Sequence, residues 1–159
     1  MKKYVFLFLS VMMIRSVALC AEDKSVWKDG QLYEGAAYDA LEAKVKEEVK
    51  KVAEEYAMAL LMKDSDDLEE RTYYEGFPSE KKAKISSLIS AHHNKEGFAC
   101  TNIEVITVKL KNDMKEASVG VKVYFSTVDT RGGLSTAPIS IQSWKFVNRY
   151  DEWYYSLDK

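Results

Sequence analysis

Two periodicities divide the chain. From Glu34 to Lys63 the apolar positions Leu41, Val45, Val49, Val52, Tyr56, Ala59 and Leu60 recur every three or four residues, the spacing that keeps them on one face of an α-helix. Glu42–Lys46 and Glu47–Lys51 are spaced to pair across one turn on the outer face. The stripe predicts a long amphipathic helix, with a break or a separate first turn near Lys44. It is the pattern of a helix docked on a sheet, and a coiled-coil seam is the alternative. From Asn102 onward the period drops to two. Ala117, Val119, Val121, Val123 and Phe125 alternate with Ser118, Gly120, Lys122, Tyr124 and Ser126, as a strand does with one face on a core and one towards water.

Between these regions Asp66 and Glu69 have capping-box spacing for a short helix through Arg71. Ser79 is placed to cap a further helix that buries Ile85, Leu88 and Ile89, runs to about Asn94 and ends at Gly97. Beyond it four strands are predicted: Asn102 to Lys111, Lys115 to Asp129, Pro138 to Arg149, and Trp153 to Leu157. Asn112-Asp113-Met114 joins the first two as a hairpin, and Tyr150-Asp151-Glu152 joins the last two. The fold class is α+β, with N-terminal helices packed on a curved antiparallel sheet of about four strands. A single domain is expected over 34–159, preceded by a flexible leader over 22–33.

The N-terminus carries an address. Lys2-Lys3 precede an apolar run from Tyr4 to Ile14, and Val17-Ala18-Leu19-Cys20-Ala21 offers small residues for cleavage, the layout of a secretory signal peptide over 1–21. The run falls short of the ~20 apolar residues of a membrane span, and Arg15 interrupts it. Cys20 opens a second route, since Val17-Ala18-Leu19-Cys20 resembles the box of a lipidated bacterial signal, with Leu19 where that box wants a small residue. The expectation is a periplasmic or extracellular protein, with a lipid anchor on Cys20 as the alternative. Without the leader Cys100 is the remaining cysteine. No disulfide framework is then possible, and Cys100 reads as a small buried apolar residue.

Charge narrows the partners. The formal net charge of −2 becomes about −5 once the basic residues of the leader are set aside, leaving 20 basic against 25 acidic side chains. With no basic cluster, nucleic acid is not an expected partner, and neither is an anionic membrane surface unless Cys20 is lipidated. His92-His93 is the obvious metal candidate, with Glu96 four residues after His92. Adjacent helical histidines diverge by ~100°, so no metal and no cofactor is expected. Glu104 and Asp129 are the acids with a plausible inward reach. Neither completes a catalytic set, and no catalytic residue is assigned.

The aromatic residues crowd the sheet. Trp144 and Phe146 share a face by alternation, as do Trp153 and Tyr155. Cross-strand ring packing accounts for them, and an apolar pocket between sheet and helices is the functional alternative. The candidate pocket residues are Tyr56, Tyr124, Trp144, Phe146, Trp153 and Tyr155.

The order of elements resembles the nuclear-transport-factor-2-like superfamily, and within it small exported members related to the SnoaL-like group. The resemblance rests on the helix from Glu47 to Asp64, an Asp-Leu turn, a second helix, long antiparallel strands, and a charged hairpin turn directly before Trp153-Tyr154, over about residues 45–158. It implies a cone-like, cystatin-like roll with helices in the concavity of the sheet, often with a pocket and often dimeric through the sheet. The resulting expectation is an exported non-enzymatic binding or scaffold domain that holds a small apolar ligand or a partner protein. The alternatives are an acid–base isomerase, lyase or cyclase, and an assembly component of an envelope or secretion complex.

Overall fold

A computed structural model describes residues 24–93, 98–128, 134–136 and 139–158. The expectations placed on the export signal, Cys20, Glu96, Gly97, Asp129 and Pro138 lie outside these residues.

The first elements are β1 (Ser25–Lys28) and β2 (Gln31–Glu34), an antiparallel hairpin in which Val26 faces Tyr33 and Trp27 faces Leu32. Asp29 and Gly30 both have positive φ, as a two-residue turn joining right-twisted strands requires. This corrects the expectation of a flexible leader. Val26 is buried in the common core while Trp27 on the opposite side is 71 % exposed. Helix α1 (Gly35–Met62) follows without the break expected near Lys44 and buries Val45, Val49, Ala53, Tyr56 and Leu60. Its end is a Schellman turn. Lys63 takes the left-handed conformation that glycine usually fills, and the Asp64 N–H reaches back to the Ala59 carbonyl at 3.0 Å.

Asp64 then caps α2 (Ser65–Glu70) by accepting the Asp67 N–H at 3.1 Å, two residues before the predicted capping box. Helix α3 (Pro78–His93) begins on Pro78 rather than after Ser79, because proline has no N–H to leave unsatisfied in a first turn. The sheet follows the order β3-β8-β7-β5-β4, built from β3 (Thr72–Tyr73), β4 (Phe98–Lys111), β5 (Glu116–Val128), β7 (Ser140–Arg149) and β8 (Glu152–Ser156), with β6 (Leu134–Thr136) also paired to β5. Five strands thus stand in line where about four were expected. The extra one, β3, pairs in parallel with β8, a non-local contact that no turn signal announces.

Parity along the sheet decides what faces α1. On β5, Ala117, Val119, Val121 and Val123 are all buried, as the alternation predicts. Strand β4 carries two register shifts, between Cys100 and Asn102 and between Val105 and Thr107. Each bulge adds a residue and reverses the alternation. Cys100, Ile103, Val105, Val108 and Leu110 therefore all reach the same core.

Arg71 ties the helices together at the α2–β3 junction. Its guanidinium donates to Asp67 at 2.7 Å and to Glu55 of α1 at 2.6 Å, and its carbonyl accepts the Tyr155 N–H of β8. The site is about a third exposed, so Arg71→Met is expected to lower stability by only about 1 kcal/mol. Urea midpoints at low and high salt check this. The difference should shrink with salt, and equal losses at both would point to packing of the aliphatic stem instead.

Candidate functional site

Four of the six candidate aromatic residues meet where α1 crosses β7 and β8. Tyr56 projects from α1 onto the sheet and stacks on Tyr155, ring centroids 4.4 Å apart and planes 16° from parallel. Trp144 and Phe146 meet Tyr56 edge-on at 5.5 and 6.2 Å, and meet Tyr155 edge-on at 5.9 and 5.8 Å. Edge-to-face and offset contacts are the arrangements the ring quadrupole favours. The Trp144 indole N–H donates to Gln142 Oε1 at 3.2 Å.

The two phenols in this cluster are held neutral. Burial raises the Tyr56 pKa far above the ordinary range. Proximity to Tyr155 adds to the rise and the Thr72 hydroxyl opposes it. Burial also raises that of Tyr155. The Tyr56 hydroxyl has no well-aligned hydrogen-bond partner, while Thr72 Oγ1 itself donates to the Leu68 carbonyl at 2.6 Å. A buried polar atom without a full partner weakens the core that contains it.

The other two candidates lie elsewhere. Trp153 is buried on the same sheet face but nearer the hairpin ends, where it lines one cavity with Val45 and Met114. Tyr124 is a correction. It alternates with the buried Val123 and so faces outward, where its hydroxyl donates to Glu104 at 2.8 Å and the Lys122 ammonium lies 5.1 Å from its ring centre. Glu104 is therefore an outer-face residue too, held by a surface tyrosine rather than desolvated in a cavity.

The two histidines diverge as helical geometry demands. His92 Nδ1 donates to the Leu88 carbonyl and His93 Nε2 donates to the Leu60 carbonyl, each at 2.8 Å. His92 Nε2 is buried without a partner, and among the described residues no group of three possible ligands could hold a metal ion. Cys100 is a buried free thiol whose pKa is raised by desolvation, against a weaker lowering by a backbone hydrogen bond at Asn102.

The outer sheet face also carries apolar residues. Ile106, Ile139 and Ile141 are exposed there, Ile141 by 75 %. Gly120 and Ser143 form a flat centre between them, and Ser118 and Ser143 share a hydroxyl hydrogen bond of 2.9 Å. A Cβ on Gly120 would sit 2.5 Å from the Thr107 hydroxyl, so the glycine keeps this part of the face level. The signal was present as Ile139-Ser140-Ile141, two apolar residues in outward register.

No protein-family model matches the chain, and no curated protein matches it in sequence. Solved structures do match in shape. An NTF2-like protein with a cystatin-like fold from Novosphingobium aromaticivorans superposes with a TM-score of 0.51 at 16 % identity, over 77 % of this chain and 88 % of that one. A protein of unknown function from Mycobacterium tuberculosis superposes with a TM-score of 0.53 at 9 % identity, over 76 % of this chain and 73 % of that one. At such identities the likeness concerns the fold alone. The chain has the NTF2-like, cystatin-like α+β fold.

Proposed function

We propose that this protein is an exported, non-enzymatic scaffold or binding domain that works through the outer face of its sheet, on a second copy of itself or on a partner protein. One observation carries the reading. Tyr56, Trp144, Phe146 and Tyr155 place their faces and edges against one another in the space between α1 and the sheet, where a ligand of such a roll would otherwise lie. Apolar surface remains on the other side, around Ile106, Ile139 and Ile141, and such patches serve association. Export is supported by Lys2-Lys3 and the apolar run after them, with lipidation of Cys20 as the alternative route.

Native mass spectrometry of the protein purified from its own host tests this in one measurement. The expected result is a ligand-free dimer or a complex with a partner protein, with an N-terminus beginning after Cys20 or Ala21. Ile141→Glu is expected to weaken that association by at least about a hundredfold, since a charge would be carried into an apolar contact. A monomer, or a retained small molecule in the interior, would overturn the scaffold reading, the latter in favour of a ligand-binding or acid–base site. A diacylglyceryl mass on Cys20 would move the protein to a membrane surface.

A further inference from the structure

The β1–β2 hairpin stands apart from the rest of the architecture. It forms a two-stranded sheet of its own beside the main sheet, and a lone hairpin of that kind is marginal in water. Val26 is the single residue of its two strands that is fully buried, with Tyr33 partly buried against the core. Among the described residues no ion pair ties it to α1 or to the main sheet, and no backbone hydrogen bond joins it to that sheet. Its packing is also incomplete. A groove of about 540 Å³ is lined by Val26 of the hairpin and by Val45 of α1, Met114 of the β4–β5 turn and Trp153 of β8. A closely packed interior would fill such a space. The connection to α1 is soft as well. Gly35 begins the helix at φ +54°, the Glu34 side chain at its N-terminus makes no capping bond, and no residue of α1 before Val45 is fully buried.

We propose that the hairpin is a hinged cover, which turns about Gly35 while the main sheet and α1 stay folded and so makes Val45, Met114 and Trp153 accessible from outside. Closure gains the burial of one valine and part of one tyrosine, and it must order two strands and their turn. That balance puts the open state among the low-energy excursions of the domain. Strand β5, held between β4 and β7, opens only with the whole. Gly35 suits a hinge because a residue without Cβ occupies positive and negative φ with equal ease. A Cβ there would meet nothing within 4 Å, so glycine supplies backbone freedom at this point and not room. The cover lies on the helix side of the sheet, and the outer-face isoleucines take no part in it. The cover and the scaffold reading therefore stand or fall by different measurements.

Amide hydrogen exchange of the full chain, read by NMR at low urea concentrations, tests the cover. The ladder amides of β1 and β2 are expected to exchange at least about a hundredfold faster than those of β5, with little dependence on urea, since a local opening exposes little surface. Exchange of the hairpin only together with β5, at one free energy and one urea slope, overturns the proposal. Gly35→Ala is expected to speed the hairpin amides by about five- to thirtyfold, because alanine is strained at a left-handed φ in the closed state and relaxed in the open one. Hairpin amides unmoved by Gly35→Ala overturn the hinge. Thiol alkylation reads the surface beneath. In a Cys100→Ala background, Val45→Cys should react with iodoacetamide at least about a hundredfold faster than Val121→Cys, which lies in β5. Equal rates would mean that the hairpin moves without baring Val45, and would overturn the cover.

Discussion

Phe146→Ala is expected to lower the unfolding free energy by about 3–5 kcal/mol, a large share of the ~5–15 kcal/mol that holds a domain of this size. Phe146 has no exposed surface and is the β7 residue that pairs with Tyr155 on one side and Ala117 on the other. Removing its ring leaves Tyr56 and Tyr155 without an edge contact each, in a place where α1 and two strands are already fixed and cannot collapse inward. Tyr56→Ala should cost about as much, for the same reason. Tyr56→Phe separates packing from polarity. It keeps the stack on Tyr155 and deletes a buried hydroxyl that lacks a well-aligned partner, so its stability should equal or exceed the wild type's. Urea unfolding of the three variants checks this. A loss above about 1.5 kcal/mol in Tyr56→Phe would mean that the hydroxyl is well bonded in solution, with Thr72 as its acceptor.

That cluster was half legible in the sequence. Trp144 with Phe146 and Trp153 with Tyr155 follow from strict alternation, and Tyr56 from its place in the α1 stripe. Tyr124 belonged to the same alternation and was already on the opposite face from Val123. Grouping it with the interior rings weighed its chemistry over its parity. What the sequence hid was non-local or irregular. Two bulges in β4 carry no residue signature, since Thr101 and Ile106 are ordinary strand residues. The parallel pairing of Thr72-Tyr73 with Tyr155-Ser156 depends on where α2 delivers the chain. The hairpin before α1 was different. Asp29-Gly30 is a strong turn signal, but the strands that flank it have only four residues each.

Alkaline lability is the second large effect expected of the interior. A tyrosine in the unfolded chain ionises near pH 10, whereas burial raises the pKa of Tyr56 and Tyr155 in the folded state. Below pH 10 both states carry the phenolic protons and stability is intact. Above it the unfolded chain releases protons that the folded chain keeps. The unfolded state then gains about 1.4 kcal/mol per pH unit for each such tyrosine, until the folded pKa is reached. Tyr56 should therefore cost about 1.4 kcal/mol per unit above about pH 10.5, and Tyr155 adds a loss of the same sign, a large share of the stability of a marginal domain. Tyr154 shifts in the same direction through its hydrogen bond to Glu152, but it lies at the surface where solvent screens the effect. Urea midpoints from pH 8 to 11.5 measure the slope. Tyr56→Phe and Tyr155→Phe should each make the slope shallower, because each deletes one proton that the unfolded state gives up more readily. An unchanged slope in both variants would place the alkaline transition on lysine or surface tyrosine titration and would mean that water reaches these phenols in the folded protein.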